Sequence, residues 1–208
     1  MPSLKMVADI EWECDFNWEV LVENFMGSYH HIGADHATFQ PILPRQHYWT
    51  EAEADYYCVC HLPLGKLQKN VKQGESQLIN FAPIEGLHLD DFLEWSVHLA
   101  APSGLFFVAA DRVYWYRLQP LSAGKMTLRT TLLINPDSKN SPDYQKILKA
   151  QIQMIRKFYL EDVEMCTAVQ NGLRSCADTP GPLNKLEEPI WQFQRYMARQ
   201  IKAAELMA

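Results

Sequence analysis

Apolar and polar positions change their period along this chain. Residues 7–14 (VADIEWEC) set Val7, Ile10 and Trp12 among acids and predict a strand. Residues 17–27 (NWEVLVENFMG) carry Trp18, Leu21, Val22 and Phe25 at the offsets of one helical face. Stretches 53–61 and 105–118 are rich in Tyr, Phe, Val and Trp, and the second divides into LFFVA and VYWYRL, a hairpin expected to turn at Asp111-Arg112. Residues 126–134 (MTLRTTLLI) alternate as a further strand. Then the period lengthens. Ser141-Pro142-Asp143 reads as a helix start, with Ser as N-cap and Pro in the first helical position. Ile152, Ile155, Tyr159, Val163, Cys166, Val169 and Leu173 keep helical spacing for about six turns, with Gly172 near the end. Residues 187–205 predict another helix, capped from Asn184. Strands first and long helices last give an α+β fold, an antiparallel sheet wrapped on a long C-terminal helix. No internal repeat is present, and residues 1–208 are expected to form a single domain.

Composition narrows the functional classes. Hydrophobic residues make up 48% and charged residues 21%, an ordinary globular balance. A net charge of -6 argues against non-specific nucleic-acid binding, which needs a basic surface. No apolar run approaches the roughly 20 residues of a membrane span, so no membrane partner is expected. The first residues, MPSLKMVADIEWEC, contain no apolar signal-peptide core. The five cysteines (14, 58, 60, 166 and 176) are irregularly spaced, which suits a reducing cytoplasm better than a disulfide framework.

Two features carry candidate chemistry. Three of the seven histidines, His30, His31 and His36, fall within seven residues. Neutral imidazole suits Fe, Zn, Cu or Ni. Side chains five apart on one straight helix sit about 140° apart, so His31 and His36 share a ligand face only if Gly33 breaks the helix. The other reading is a surface histidine cluster. The second feature is Asp162, placed seven after Ile155, three after Tyr159, four before Cys166 and seven before Val169. It lies on or beside the apolar stripe, where a carboxylate is costly unless paired or metal-bound. An acid at the stripe edge, paired with Arg or Lys, answers the same spacing.

The stretch Asn17-Trp18-Glu19-Val20-Leu21-Val22-Glu23-Asn24-Phe25, then Tyr29-His30-His31 and His36, resembles the catalytic-domain motif of Rieske non-haem iron ring-hydroxylating oxygenase alpha subunits. That motif runs N-W-x-x-x-x-E-N-F, then a histidine, four residues and a second histidine. Without gaps the pair falls on His31 and His36. Some relatives place the first histidine directly after Tyr, which gives His30, but its spacing then lands on Asp35. Residues 100–118 resemble the family's pocket hairpin, 158–173 its closing helix and 187–200 its C-terminal helix. The resemblance implies a helix-grip (START/Bet v 1-like) α+β domain. It implies mononuclear Fe(2+) held by His31, His36 and Asp162, with Asn24 and His30 as catalytic residues beside the metal. Two histidines and a carboxylate are the facial triad of non-haem iron oxygenases.

The reaction so implied is O2-dependent hydroxylation, dihydroxylation or oxidative demethylation of a small organic substrate. Tyr56, Tyr57, Trp115 and Tyr116 are candidates to line an aromatic-accepting or cation-accepting pocket. Two departures qualify the picture. No cysteine–histidine pattern for a Rieske [2Fe-2S] cluster is present in this chain; Cys58-Val59-Cys60-His61 is not one, and those cysteines read as strand residues. Electrons are therefore expected from a separate Rieske or ferredoxin-type donor. The acid that usually stands three residues before the first ligand histidine is Ser28 here. Together these departures suggest a monomer or weak dimer. The alternative from another class is a non-enzymatic small-ligand binder of the same fold. A zinc hydrolase is weaker, since no H-E-x-x-H pattern supports it.

Overall fold

The computed structural model describes residues 4–27, 43, 45–64, 81–175 and 181–207. Among these, seven strands form one antiparallel sheet: β1 (Lys5–Cys14), β2 (Trp49–Thr50), β3 (Tyr57–Pro63), β4 (Glu94–Ala100), β5 (Gly104–Ala109), β6 (Arg112–Ser122) and β7 (Lys125–Ile134). Their order is β1-β7-β6-β5-β4-β3-β2, so chain neighbours are sheet neighbours except where β1 joins β7. The helices are α1 (Trp18–Met26), α2 (Tyr144–Arg174) and α3 (Glu188–Glu205). This is the α+β arrangement the resemblance implies.

Alternation along the strands makes one face of the sheet the core. Trp95, Val97 and Leu99 of β4 are buried, as are Leu105 and Phe107 of β5, while Glu94, Ser96 and His98 face the other way. A register shift between Met6 and Ala8 inserts one residue into β1. That bulge explains why Val7, Ile10 and Trp12, spaced three and then two, all pack on one core. The outer face of β1 is acidic and meets bases across the ladder: Glu11 lies 3.0 Å from Arg129, and Glu13 lies 3.1 Å from Lys125. Exposed pairs of this kind add little, because solvent screens them.

Helix α2, of 31 residues and about 46 Å, crosses the core face. Its buried stripe is Gln151, Ile155, Cys166 and Gln170, with Tyr159 and Val163 half-buried beside it. The expected stripe continued through Val169 and Leu173, but these are 43% and 49% exposed. Gln170 turns inward in their place because its side-chain oxygen accepts the Asn17 backbone N–H at 2.6 Å. The helix also starts later than Ser141-Pro142 suggests. Ser141 accepts the Tyr144 N–H through its carbonyl, and its hydroxyl accepts the Asp143 N–H, so these residues close a turn before the helix. The hairpin turns at Ala110-Asp111, since Ala109 pairs with Arg112. Strand β3 begins at Tyr57 rather than 53, and β2 and β4 were not expected. The Asn184 cap holds: its side chain accepts the Leu186 N–H, and Glu187 completes a capping box.

At the β5–β6 turn a buried polar chain ties sheet to helix. Asp111 and Arg112 are 1% and 2% exposed and lie 2.5 Å apart. Asp111 also accepts the Phe81 backbone N–H at 3.0 Å. Arg112 donates to the Tyr114 hydroxyl at 3.1 Å, and that hydroxyl donates to Gln151 of α2 at 2.7 Å. Removing one member of a buried ion pair leaves the other's charge in a poor solvent. Asp111→Ala is expected to cost about 3–5 kcal/mol in chemical denaturation, whereas replacing Asp111 and Arg112 together by apolar residues should cost much less. Equal losses in the single and double variants would show that packing, not stranded charge, sets the cost.

Candidate metal centre

Asn17 fixes where α1 begins. Its side-chain oxygen accepts the Glu19 N–H at 2.7 Å, the N-cap bond, and its amide N–H2 donates to the Ala123 carbonyl at 3.0 Å. The helix start is thus pinned both to α2, through Gln170, and to the β6–β7 turn. Two turns later Asn24 lies on the same face and donates through Nδ2 to Asp162 Oδ1 at 2.8 Å. The two Asn contacts run in opposite order along α1 and α2, so the helices are antiparallel and joined by two polar rungs. At the far end of α1, Gly27 leaves room for α3. A Cβ there would lie 2.8 Å from the Glu23 carbonyl oxygen and 3.0 Å from Ile190.

Asn24 and Asp162 stand in the wall of a cavity between α1, α2 and the sheet. An outer chamber of about 70 Å3 is lined by apolar side chains including Met26, Leu62, Val97, Phe107 and Phe158. An inner chamber of about 30 Å3 shares Asn24, Phe25, Tyr116, Phe158 and Asp162, and extends toward Trp12 and Tyr159. Of the four aromatic candidates, Tyr116 alone lines these chambers. Tyr56 and Tyr57 are 68% and 54% exposed. Trp115 points to the opposite face of β6, stacked on Phe106 with Arg117 over its ring. Strand alternation carries that difference, because Tyr114 and Tyr116 share a face that Trp115 cannot.

Cys60, read from sequence as an ordinary strand residue, and Tyr48 also line the outer chamber. Tyr48 donates to the Leu43 carbonyl at 3.0 Å. The segment after it is clamped to α3: Glu53 receives Arg195 and Arg199, each at 2.7 Å, and Gln192 donates to the Glu51 carbonyl at 3.0 Å. Burial pushes the Cys60 thiol up to about 11, against a hydrogen bond with Thr50 that lowers it. Burial likewise raises the Tyr48 phenol, and it holds the Tyr116 phenol well above its ordinary range, helped by Tyr114 and Asp162. The described lining of the outer chamber therefore presents neutral groups and one carboxyl, Asp162.

The structure thus brings two of the expected site residues together, Asn24 and Asp162. His30, His31 and His36 lie outside the described residues, as do Ser28 and Asp35. Among the described residues no group of three or more His, Cys, Asp or Glu can hold a metal. One hard oxygen ligand in a chamber wall, oriented by an amide, fits a metal site whose nitrogen donors come from another segment.

A family model described as "Ring hydroxylating alpha subunit (catalytic domain)" matches residues 1–203. A quaternary ammonium Rieske monooxygenase in complex with an inhibitor superposes at a TM-score of 0.68 and 19% identity, covering 95% of this chain and 49% of that one. A second such structure, described for carnitine oxidation by gut microbiota and inter-subunit electron transfer, gives 0.67 and 21%, with 95% and 50% covered. Dicamba monooxygenase bound to 3,6 dichlorosalicylic acid gives 0.66 and 14%, with 98% and 62% covered. At these identities the likeness is one of fold. The chain spans about half the length of the quaternary ammonium monooxygenases, at 49% and 50%. No curated protein matches it by sequence.

Cys14, Cys58, Cys60 and Cys166 are all buried, and burial raises each thiol, those of Cys14 and Cys60 to about 11. At pH 8 a thiol titrating near 11 is ionised in about one molecule in a thousand. Native protein treated with iodoacetamide at pH 8 should leave these four unmodified by peptide mass spectrometry, and unfolding in guanidinium should release them. Rapid native labelling of Cys60 would show that the chamber wall is open to solvent.

Proposed function

Because this chain belongs to the ring hydroxylating alpha subunit (catalytic domain) family, we propose that residues 1–208 form the catalytic domain of an O2-dependent oxygenase acting on a small organic molecule. The family consists of enzymes that need an electron donor. In this reading one mononuclear Fe(2+) is held by His31, His36 and Asp162, and electrons come from a Rieske or ferredoxin-type partner. Bound there, iron supplies dioxygen activation. Hydroxylation, dihydroxylation and oxidative demethylation all remain within this reading, as does an aromatic substrate.

The observation that carries the proposal is the Asp162 carboxyl, held by Asn24 in the wall of an apolar chamber. A carboxylate that accepts an amide N–H is fixed in direction, which is what a metal ligand on a flexible side chain requires. Asn24 can hold that orientation without bringing charge into the chamber. The described walls are mainly hydrocarbon, and Cys60, Tyr48 and Tyr116 line the outer chamber with Asp162 as neutral polar groups. His30 is proposed as a neighbouring catalytic group. The two chambers together are smaller than the roughly 150 Å3 that benzene occupies in an engineered cavity. Met26, unbranched and adaptable, gives the described wall room to adjust to an organic molecule.

Protein prepared anaerobically with Fe(II) should retain one iron per chain. His31→Ala, His36→Ala and Asp162→Ala should each lose it, with Asp162→Ala keeping its fold because Ile155, Cys166 and Phe193 stay buried. Metal analysis and thermal melting read both. Iron kept by Asp162→Ala alongside a large fall in melting temperature would make Asp162 a structural residue. Loss with His30→Ala but not His31→Ala would move the histidine register by one. A chain that takes up organic ligands but never iron would be a carrier.

A further inference from the structure

Strand β7 sends one side of its alternation into the core. Met126, Leu128, Thr130, Leu132 and Ile134 are each at most 4% exposed, and Thr130 is the one polar member. Thr130 is 1% exposed, and its hydroxyl has no hydrogen-bond partner among the described residues. The next residue shows that this strand can satisfy a buried threonine. The Thr131 hydroxyl donates to Asp9 at 2.6 Å and accepts from Arg117 at 3.2 Å. A buried hydroxyl left unpaired costs stability, and a valine of the same shape would fill the place without that cost. Thr130 stands in the wall of the inner chamber and pairs with Tyr116 in the β6–β7 register. The aromatic walls of that chamber include Trp12, Phe16, Phe25, Tyr116, Phe158 and Tyr159. No lysine or arginine is among the described lining of either chamber.

We propose that Thr130 is a specificity-determining residue, its hydroxyl pairing with a neutral oxygen, a hydroxyl or a carbonyl, on a small aromatic substrate. The proposal deepens the reading of this cavity as the substrate site and rests on it. A threonine hydroxyl has one donor and two acceptor positions, so it serves a phenolic O–H or a carbonyl alike. Phe25 meets Tyr116 edge to face with ring centroids 5.0 Å apart, and Trp12 lies flat on Tyr159 at 4.2 Å. Walls of this kind take a flat aromatic guest by the same edge and face contacts. An anionic guest finds no cation in the described lining, and a quaternary ammonium offers Thr130 no N–H. A guest of equal shape without the oxygen leaves the hydroxyl unpaired. Discrimination therefore comes from what the buried hydroxyl gains with one guest and not with the other.

The test is equilibrium binding of phenol and toluene, a hydroxyl and a methyl on the same ring, to the full chain by titration calorimetry. Iron content is measured in each preparation. Wild type should bind phenol about tenfold tighter than toluene. T130V should lose that preference by weakening phenol and sparing toluene, and T130S should keep it. Without either probe, T130V should melt at or above wild type, because it removes an unpaired buried hydroxyl. A lower melting temperature for T130V with the phenol preference unchanged would make Thr130 structural and overturn the proposal. So would loss of the preference in Y116F but not in T130V. Tighter binding of benzoate or tetramethylammonium than of phenol would overturn the substrate class, as would no binding of either ring at millimolar concentration. Failure of the oxygenase reading looks different: the phenol preference persists, but no preparation retains iron.

Discussion

A carboxyl on the inward stripe of a long helix constrains most of this structure. Asp162 points from α2 into a chamber whose other described walls are hydrocarbon, aromatic or neutral polar. Transferring such a group from water without a partner costs several kcal/mol, and the fold supplies one at 2.8 Å from Asn24. That bond requires α1 to present Asn24 at one depth and rotation. Asn17 provides both, capping α1 while its backbone is held by Gln170. Seven residues along α1 and eight along α2 cover about 10–12 Å each, so the two rungs meet without strain in either helix. Gly27 then lets α3 close over the end of α1.

The same rungs explain what was legible in the sequence. The spacing of Asp162 places it on or beside the inward stripe, and its side chain lines the chamber. The bulge in β1 was present in the uneven spacing of Val7, Ile10 and Trp12. Other features were harder to read. Gln170 is buried because one backbone N–H across the molecule needs an acceptor, a demand that no period along α2 expresses. Val169 and Leu173 look like core and face solvent for the same reason. Strand β4 alternates cleanly, yet its outward Glu94, Ser96 and His98 dilute the apolar signal. Strand β2 has two residues, too few for any period.

The chamber joins rigid and soft walls. Its polar side is fixed by the α1–α2 rungs and by the arginine clamp on Glu53. Its apolar side includes Met26, Phe107 and Phe158. A hydrogen-bonded polar side faces a hydrocarbon side across the chamber, so the geometry at Asp162 is held independently of the outline of the opposite wall.

Among the described residues strand β1 is the end of the sheet, and one row of its backbone groups has no neighbouring strand there. Open edges of ten residues are templates for another copy to add itself, and they seed linear aggregates. Here Asp9, Glu11 and Glu13 alternate along that edge, and the bulge at Val7 twists its beginning. A second β1 laid antiparallel against the first would bring acid against acid with only one ladder of bases to share. The charge row therefore acts as a guard on the edge, and its strength depends on the solvent. Salt that screens over about 10 Å at 0.1 M weakens it, so the colloidal behaviour of the protein is tied to ionic strength through one strand.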